Sequence, residues 1–194
     1  MATAVAAVVV VCAVIAVAVL RSSGDDDTVA RRVAEVISPK DRPEFPAVDS
    51  TSLPPERARI VEAARVEYDR NAPGTTYSEG VEEPWCADFV SSVMRKAGVP
   101  LSNPNSGSWR IPGVATLTEY FHDSGRWRAA THRPVPGDVV LYDVPSHYRQ
   151  HTNLVVAVNG DEVTTVGGNE ADGVTLYTTR IGSDPGVQGY GVAP

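Results

Sequence analysis

Only two cysteines occur in 194 residues, and one of them, Cys12, lies inside an apolar run at the N-terminus. Cys86 therefore stands alone in the rest of the chain, and no intramolecular disulfide can staple that part together. A role as nucleophile becomes one of the better explanations for it. Basic residues are also short, with 17 Lys and Arg against 24 Asp and Glu and a formal charge of −7. Phosphate binding is carried by an excess of Lys and Arg, so no nucleic-acid partner is expected. The histidines show no zinc-ligand spacing, no internal repeat is evident, and the length leaves no room for a second globular domain.

What the chain does have, first, is a stretch of 19 uncharged residues, Ala2 to Leu20, mostly Ala and Val. That meets the length of about 20 residues needed to cross a bilayer. It lacks a basic n-region, and its first fixed positive charge, Arg21, comes after it. The run (1–20) therefore reads as a transmembrane anchor, with a cleaved export signal as the alternative. Arg21, Arg31 and Arg32, taken alone, argue for a cytoplasmic location of the C-terminal portion. The chemistry and the family resemblance set out below override that reading, and the expected location is a cell-membrane-anchored extracytoplasmic domain, or one secreted to the cell wall. Residues 21–53 are rich in charge, Ser and Pro and read as a flexible linker, leaving 54–194 as the folded domain.

Within that domain, Pro54-Pro55-Glu56 opens a helical pattern that Asn71 and Pro73-Gly74 close. Cys86 to Ala97 carries Phe89, Val90, Val93, Met94 and Ala97 at helical spacing, with Gly98 and Pro100 ending it. A third helix is predicted from about Val114 to His122. From Pro136-Gly137-Asp138 onward the pattern turns to short β-rich runs: Val139–Asp143, Thr152–Val158, Val163–Val166, Val174–Thr179 and Val187–Val192. Helices followed by antiparallel strands describe an α+β domain.

The predicted helix start places Cys86 in a first turn, where unpaired N–H groups and the positive end of the dipole favour a thiolate. The competing reading is a small buried hydrophobe. His151 opens the β-branched run His151-Thr152-Asn153-Leu154-Val155-Val156, where a side chain can reach a helix end. His122, His132 and His147 fall in helix-end or loop positions that read as solvated, and His147 is the second choice for a base. Such a base needs a partner on its other ring nitrogen. Asn169, in Val166-Gly167-Gly168-Asn169, is placed for that role, though Gly-Gly-Asn is also ordinary turn chemistry. Trp85 beside the thiol is a candidate for lining a substrate groove, with core packing as its alternative.

Taken together, Trp85-Cys86-Ala87-Asp88-Phe89-Val90, Ala97-Gly98-Val99-Pro100, Pro136-Gly137-Asp138-Val139, His151 with Leu154-Val155-Val156, and Gly168-Asn169 resemble the CHAP family. These are the cysteine, histidine-dependent amidohydrolase/peptidases of the papain-like NlpC/P60 superfamily, and the likeness covers roughly Arg57 to Val192. The resemblance implies a papain-like fold with N-terminal helices packed on a small antiparallel sheet. It implies Cys86 as nucleophile, His151 as general base and cleavage of a peptidoglycan amide bond, as an endopeptidase or an N-acetylmuramoyl-L-alanine amidase. No cofactor is implied. Some phage members bind calcium through a residue at the position of Asp88, but the preceding loop offers Glu79, Glu82 and Glu83 without an Asp-x-Asp series, so no metal is expected.

Two positions depart from the family pattern: Asn153 stands where a Gly is frequent, and Gly167 where many members carry an acid. With no acid at 167, either Asn169 orients the histidine alone or Glu170 substitutes. A catalytically weak module that binds cell wall or a partner protein is the alternative function. A protein partner that restrains the enzyme is compatible with either.

Overall fold

The computed structural model describes residues 42–171 and 173–193. The apolar run Ala2–Leu20 and most of the expected linker lie outside the described residues. Among the described residues no helix is long and apolar enough to cross a membrane.

A compact unit runs from Glu44 to Pro194, so the packed region begins ten residues before the position expected from the sequence. Phe45 is the cause: its ring packs at 5.8 Å on Tyr68. Asp49 then accepts the backbone N–H of Thr51 at 3.0 Å and caps a single turn, Ser50–Ser52.

Helix α1, Pro55–Arg70, has Pro at its first position, Glu56 in its first turn and Arg70 in its last, each suited to the backbone groups and dipole there. Asn71 ends it in the left-handed region at φ 43°, which Asn tolerates better than most residues. Helix α2, Cys86–Lys96, buries nine of its eleven residues, Cys86 to Met94, and Gly98 at φ 78° turns the chain out of it. Helix α3 is Val114–Asp123, with Val114, Leu117 and Phe121 inward.

Six strands complete the domain: β1 Trp127–Ala129, β2 Val139–Tyr142, β3 His151–Asn159, β4 Glu162–Glu170, β5 Gly173–Arg180 and β6 Val187–Gly191. They form one sheet in the order β1-β6-β2-β3-β4-β5, with every pair antiparallel. The α+β class read from the sequence is therefore observed. The three-residue β1 is an addition, too short to show an alternating pattern.

Pleat alternation divides the strands between two apolar clusters. Val139, Leu141, Leu154, Val156, Val166 and Val174 pack with the helices' Ile60, Ala64, Phe89, Val90, Val93 and Phe121. Val140, Tyr142, Val155, Val163 and Tyr190 form the second cluster. Phe89 and Val93 are wholly buried, each contributing about 1.5–3 kcal/mol relative to exposure. That burial holds α2 against β3 and β4 and brings Cys86 to the start of β3.

Candidate active site

Cys86 opens α2 and is 5% exposed. The first intrahelical bond runs from Phe89 N to Trp85 O at 2.9 Å, so the N–H groups of the first turn are free of helix partners. His151 opens β3, paired with Tyr142 of β2, and is 6% exposed. Its Nε2 lies 2.8 Å from Glu170 Oε1, and Cys86 is near enough to act on its charge. With Nε2 occupied by the carboxylate, Nδ1 is the nitrogen left for sulfur. Burial works against a charge on His151. Interaction with Cys86 and Glu170 outweighs it and pushes the imidazole up to about 9. At neutral pH the site therefore favours an imidazolium.

The structure places Glu170, rather than Asn169, on the histidine. Asn169 is exposed and sits in the left-handed region at φ 63°, where the β4–β5 register shifts between Gly168 and Glu170. One extra residue in a strand reverses the alternation beyond it. Glu170 is thereby turned to the face of Gly167 instead of that of Gly168. A Cβ on Gly167 would collide with both Glu170 Oε1 and Asn153 Oδ1. The missing side chain at 167 is thus the space the carboxylate uses, and the two departures, Asn153 and Gly167, face each other across β3 and β4. The second carboxylate oxygen of Glu170 accepts from Thr175 Oγ1.

Trp85 is largely packed into the core. It is 8% exposed and stacked on Tyr77 with ring centroids 5.3 Å apart at 10°. Gly74 and Gly168 approach its ring so closely that a Cβ on either would collide with it. Its indole braces the helix start that presents Cys86. A hollow of about 330 Å³ lined by Thr118, Trp127, Tyr142, Asp143 and Gln150 opens beside the start of β3. A larger one of about 600 Å³, lined by Arg59, Val66 and Lys96, lies at the far end of α2 from Cys86.

The remaining histidines are accounted for differently. His132 is not simply solvated: its Nε2 lies 3.1 Å from the buried Asp138 of the Pro136-Gly137-Asp138 turn, which Arg57 also holds at 2.8 Å. His122 stacks on Trp127 at 4.3 Å. His147 is exposed, 3.6 Å from Asp184.

Asp88, wholly buried in the first turn of α2, is met by Arg110, whose Nε stands 2.7 Å from Oδ1. This is a charge contact whose angle falls short of a hydrogen bond. Arg110 also pairs with Glu83 just before the helix, so a cationic side chain lies between two of the carboxylates that a calcium site would use. Among the described residues no group of three or more His, Cys, Asp or Glu is arranged to hold a metal ion.

Burial pushes Asp88 up to about 6 against the pull of Arg110. Arg110→Ala should leave a buried, unpaired carboxylate and lower stability by about 3 kcal/mol at pH 8. The raised value means that the native state holds a proton the unfolded state has lost between about pH 4 and 6, so stability rises as pH falls through that window. Without Arg110 the value climbs further, and the deficit should shrink by pH 5. Urea unfolding at the two pH values tests this. An equal deficit at both would assign Arg110 a packing role instead.

Comparison with known proteins places this geometry in context. The family description "CHAP domain" matches residues 76–169, a span holding Cys86, His151 and Asn169 but ending one residue before Glu170. A comparison with curated proteins finds no match. Among solved structures, one of Ly7917 with the hydrolyzing product of MDP is similar at 18% identity and TM-score 0.47, covering 71% of this chain and 63% of that one. Another, of Ly7917, gives 18%, 0.46, 69% and 61%. The chain thus spans less than two thirds of the length of either. The segment 76–169 belongs to the CHAP family.

Proposed function

We propose that this chain is a papain-like thiol hydrolase that cleaves an amide bond of peptidoglycan, as an endopeptidase or an N-acetylmuramoyl-L-alanine amidase. The observation that carries the reading is the Glu170 carboxylate 2.8 Å from Nε2 of the buried His151, on a strand packed against the helix that Cys86 opens. An imidazolium beside a thiol at a helix N-terminus stabilises thiolate, the reactive form of cysteine.

In this reading Cys86 Sγ attacks the amide carbon, and the backbone N–H of Cys86 meets the developing oxyanion. His151 gives its proton to the leaving amine, which departs and leaves a thioester. Water then attacks with His151 as base, and the thiolate returns. Glu170 stays on Nε2 throughout, fixing the ring and balancing its charge. The acid on Nε2 supports an active enzyme over a non-catalytic wall-binding or partner-binding module, whose ground was the missing acid at Gly167. The run Ala2–Leu20 would anchor or export the domain so that it meets its substrate outside the cytoplasm.

Purified peptidoglycan incubated with the full chain and then analysed by mass spectrometry tests the proposal. New amino termini within the stem or crosslink identify an endopeptidase. Lactyl groups freed of peptide identify the amidase. Intact wall material after treatment with folded, reduced protein overturns the reading.

A further inference from the structure

The loop between β2 and β3, residues 143–150, carries an aromatic side chain that the thiol chemistry leaves unused. Tyr148 lies flat on His151, with ring centroids 4.9 Å apart and planes 13° from parallel. Tyr142 flanks the same tyrosine ring at 5.1 Å and Tyr177 meets it edge-on at 5.7 Å, so Tyr148 has little freedom to rotate off the imidazole. Asn153, two residues along β3 from His151, is wholly buried and donates to Thr165 Oγ1 at 3.3 Å.

Asn153 Oδ1 is buried without a hydrogen-bond partner, next to the Glu170 carboxylate in the space above Gly167.

We propose that Tyr148 is a positioning residue for His151: its ring, lying flat on the imidazole, fixes the plane of that ring. The inference rests on the reading of Cys86 and His151 as the reacting pair. Flat packing keeps water from that face of the ring, and a buried hydrogen bond weakens when water can compete for it. Without the tyrosine ring, both the Nε2 contact to Glu170 and the influence of Cys86 on the imidazole should loosen.

Four elements present titratable groups to His151: α2 with Cys86, β4 with Glu170, β2 with Tyr142 and the loop with Tyr148. Both tyrosines are held protonated by burial, which leaves Cys86 and Glu170 as the groups that raise His151. Loosening both lowers the imidazole from about 9 toward its ordinary value.

The test is an NMR titration of isotope-labelled histidine in the full chain, with hydrolysis of peptidoglycan measured alongside. Tyr148→Phe keeps the ring and should titrate within a few tenths of a unit of wild type. Tyr148→Ala should lower the His151 midpoint by about one unit or more and cut kcat about 30-fold with KM changed less than about twofold. Tyr148→Leu, which keeps apolar bulk without a flat ring, should behave like Tyr148→Ala and serves if the alanine variant does not fold. An unchanged midpoint in the leucine or alanine variant overturns the proposal. Because the titration needs no substrate, a lowered midpoint in a protein that releases nothing from peptidoglycan upholds the positioning role while removing the hydrolase reading.

Discussion

Replacing Cys86 by Ala should reduce amine release from peptidoglycan by at least about 10⁴-fold and leave the fold in place. The side chain is a single sulfur on a helix whose other inward residues, Phe89, Val90 and Val93, are wholly buried without it. Its removal should cost about 1 kcal/mol of stability. No other thiol lies among the described residues, so none can take over the attack. A second readout needs no substrate. Cys86 raises His151; without it, the imidazole should titrate below 9 while Glu170 still holds Nε2. Wild-type hydrolysis by Cys86→Ala would sink the thiol mechanism. An unchanged His151 midpoint would show that sulfur and imidazole do not communicate.

Both residues of the proposed reacting pair are legible in the sequence because each opens a strongly patterned element. The apolar spacing of Phe89, Val90, Val93 and Met94 fixes where α2 starts, and the β-branched run Val155-Val156 with Leu154 fixes where β3 starts. Packing those two elements in one core brings their first residues together. The partner of His151 stays open between Asn169 and Glu170 at the level of sequence for a physical reason. Strict alternation from the buried Gly168 puts Glu170 toward the helices, and only the left-handed Asn169 reverses it. Gly-Gly-Asn is readable as a turn signal, but a bulge inside a continuing strand has the same local chemistry.

Trp85 is ambiguous in sequence because its contacts, Tyr77, Gly74 and Gly168, come from separated segments. The domain start reads late for a similar reason: Phe45 lies in a Pro-rich stretch and gains its place only through Tyr68. Local composition marks a linker there, and a tertiary contact overrides it.

The bulge makes a sharp prediction. Glu170→Gln should lower kcat on the order of 10²-fold, while Asn169→Ala, at an exposed position that leaves His151 untouched, should stay within about twofold of wild type. Glutamine keeps the length and a hydrogen-bonding oxygen, so what it removes is the charge. That charge favours imidazolium, and its loss lowers the pKa of His151. Activity that needs imidazolium to protonate the leaving amine is lost as pH rises through that pKa. The alkaline limb of the pH–rate profile should therefore move down from about 9 in Glu170→Gln and stay in place in Asn169→Ala. Gly167→Ala provides an independent route to the same state. Its added methyl enters the space held by Glu170 Oε1 and Asn153 Oδ1, displaces the carboxylate from Nε2 and should shift the limb in the same direction. Agreement between Glu170→Gln and Gly167→Ala, one removing the charge and the other moving it, would locate the effect in the Glu170–His151 contact. A larger loss in Asn169→Ala than in Glu170→Gln would return the orienting role to the asparagine and require β4 to run without its bulge during catalysis.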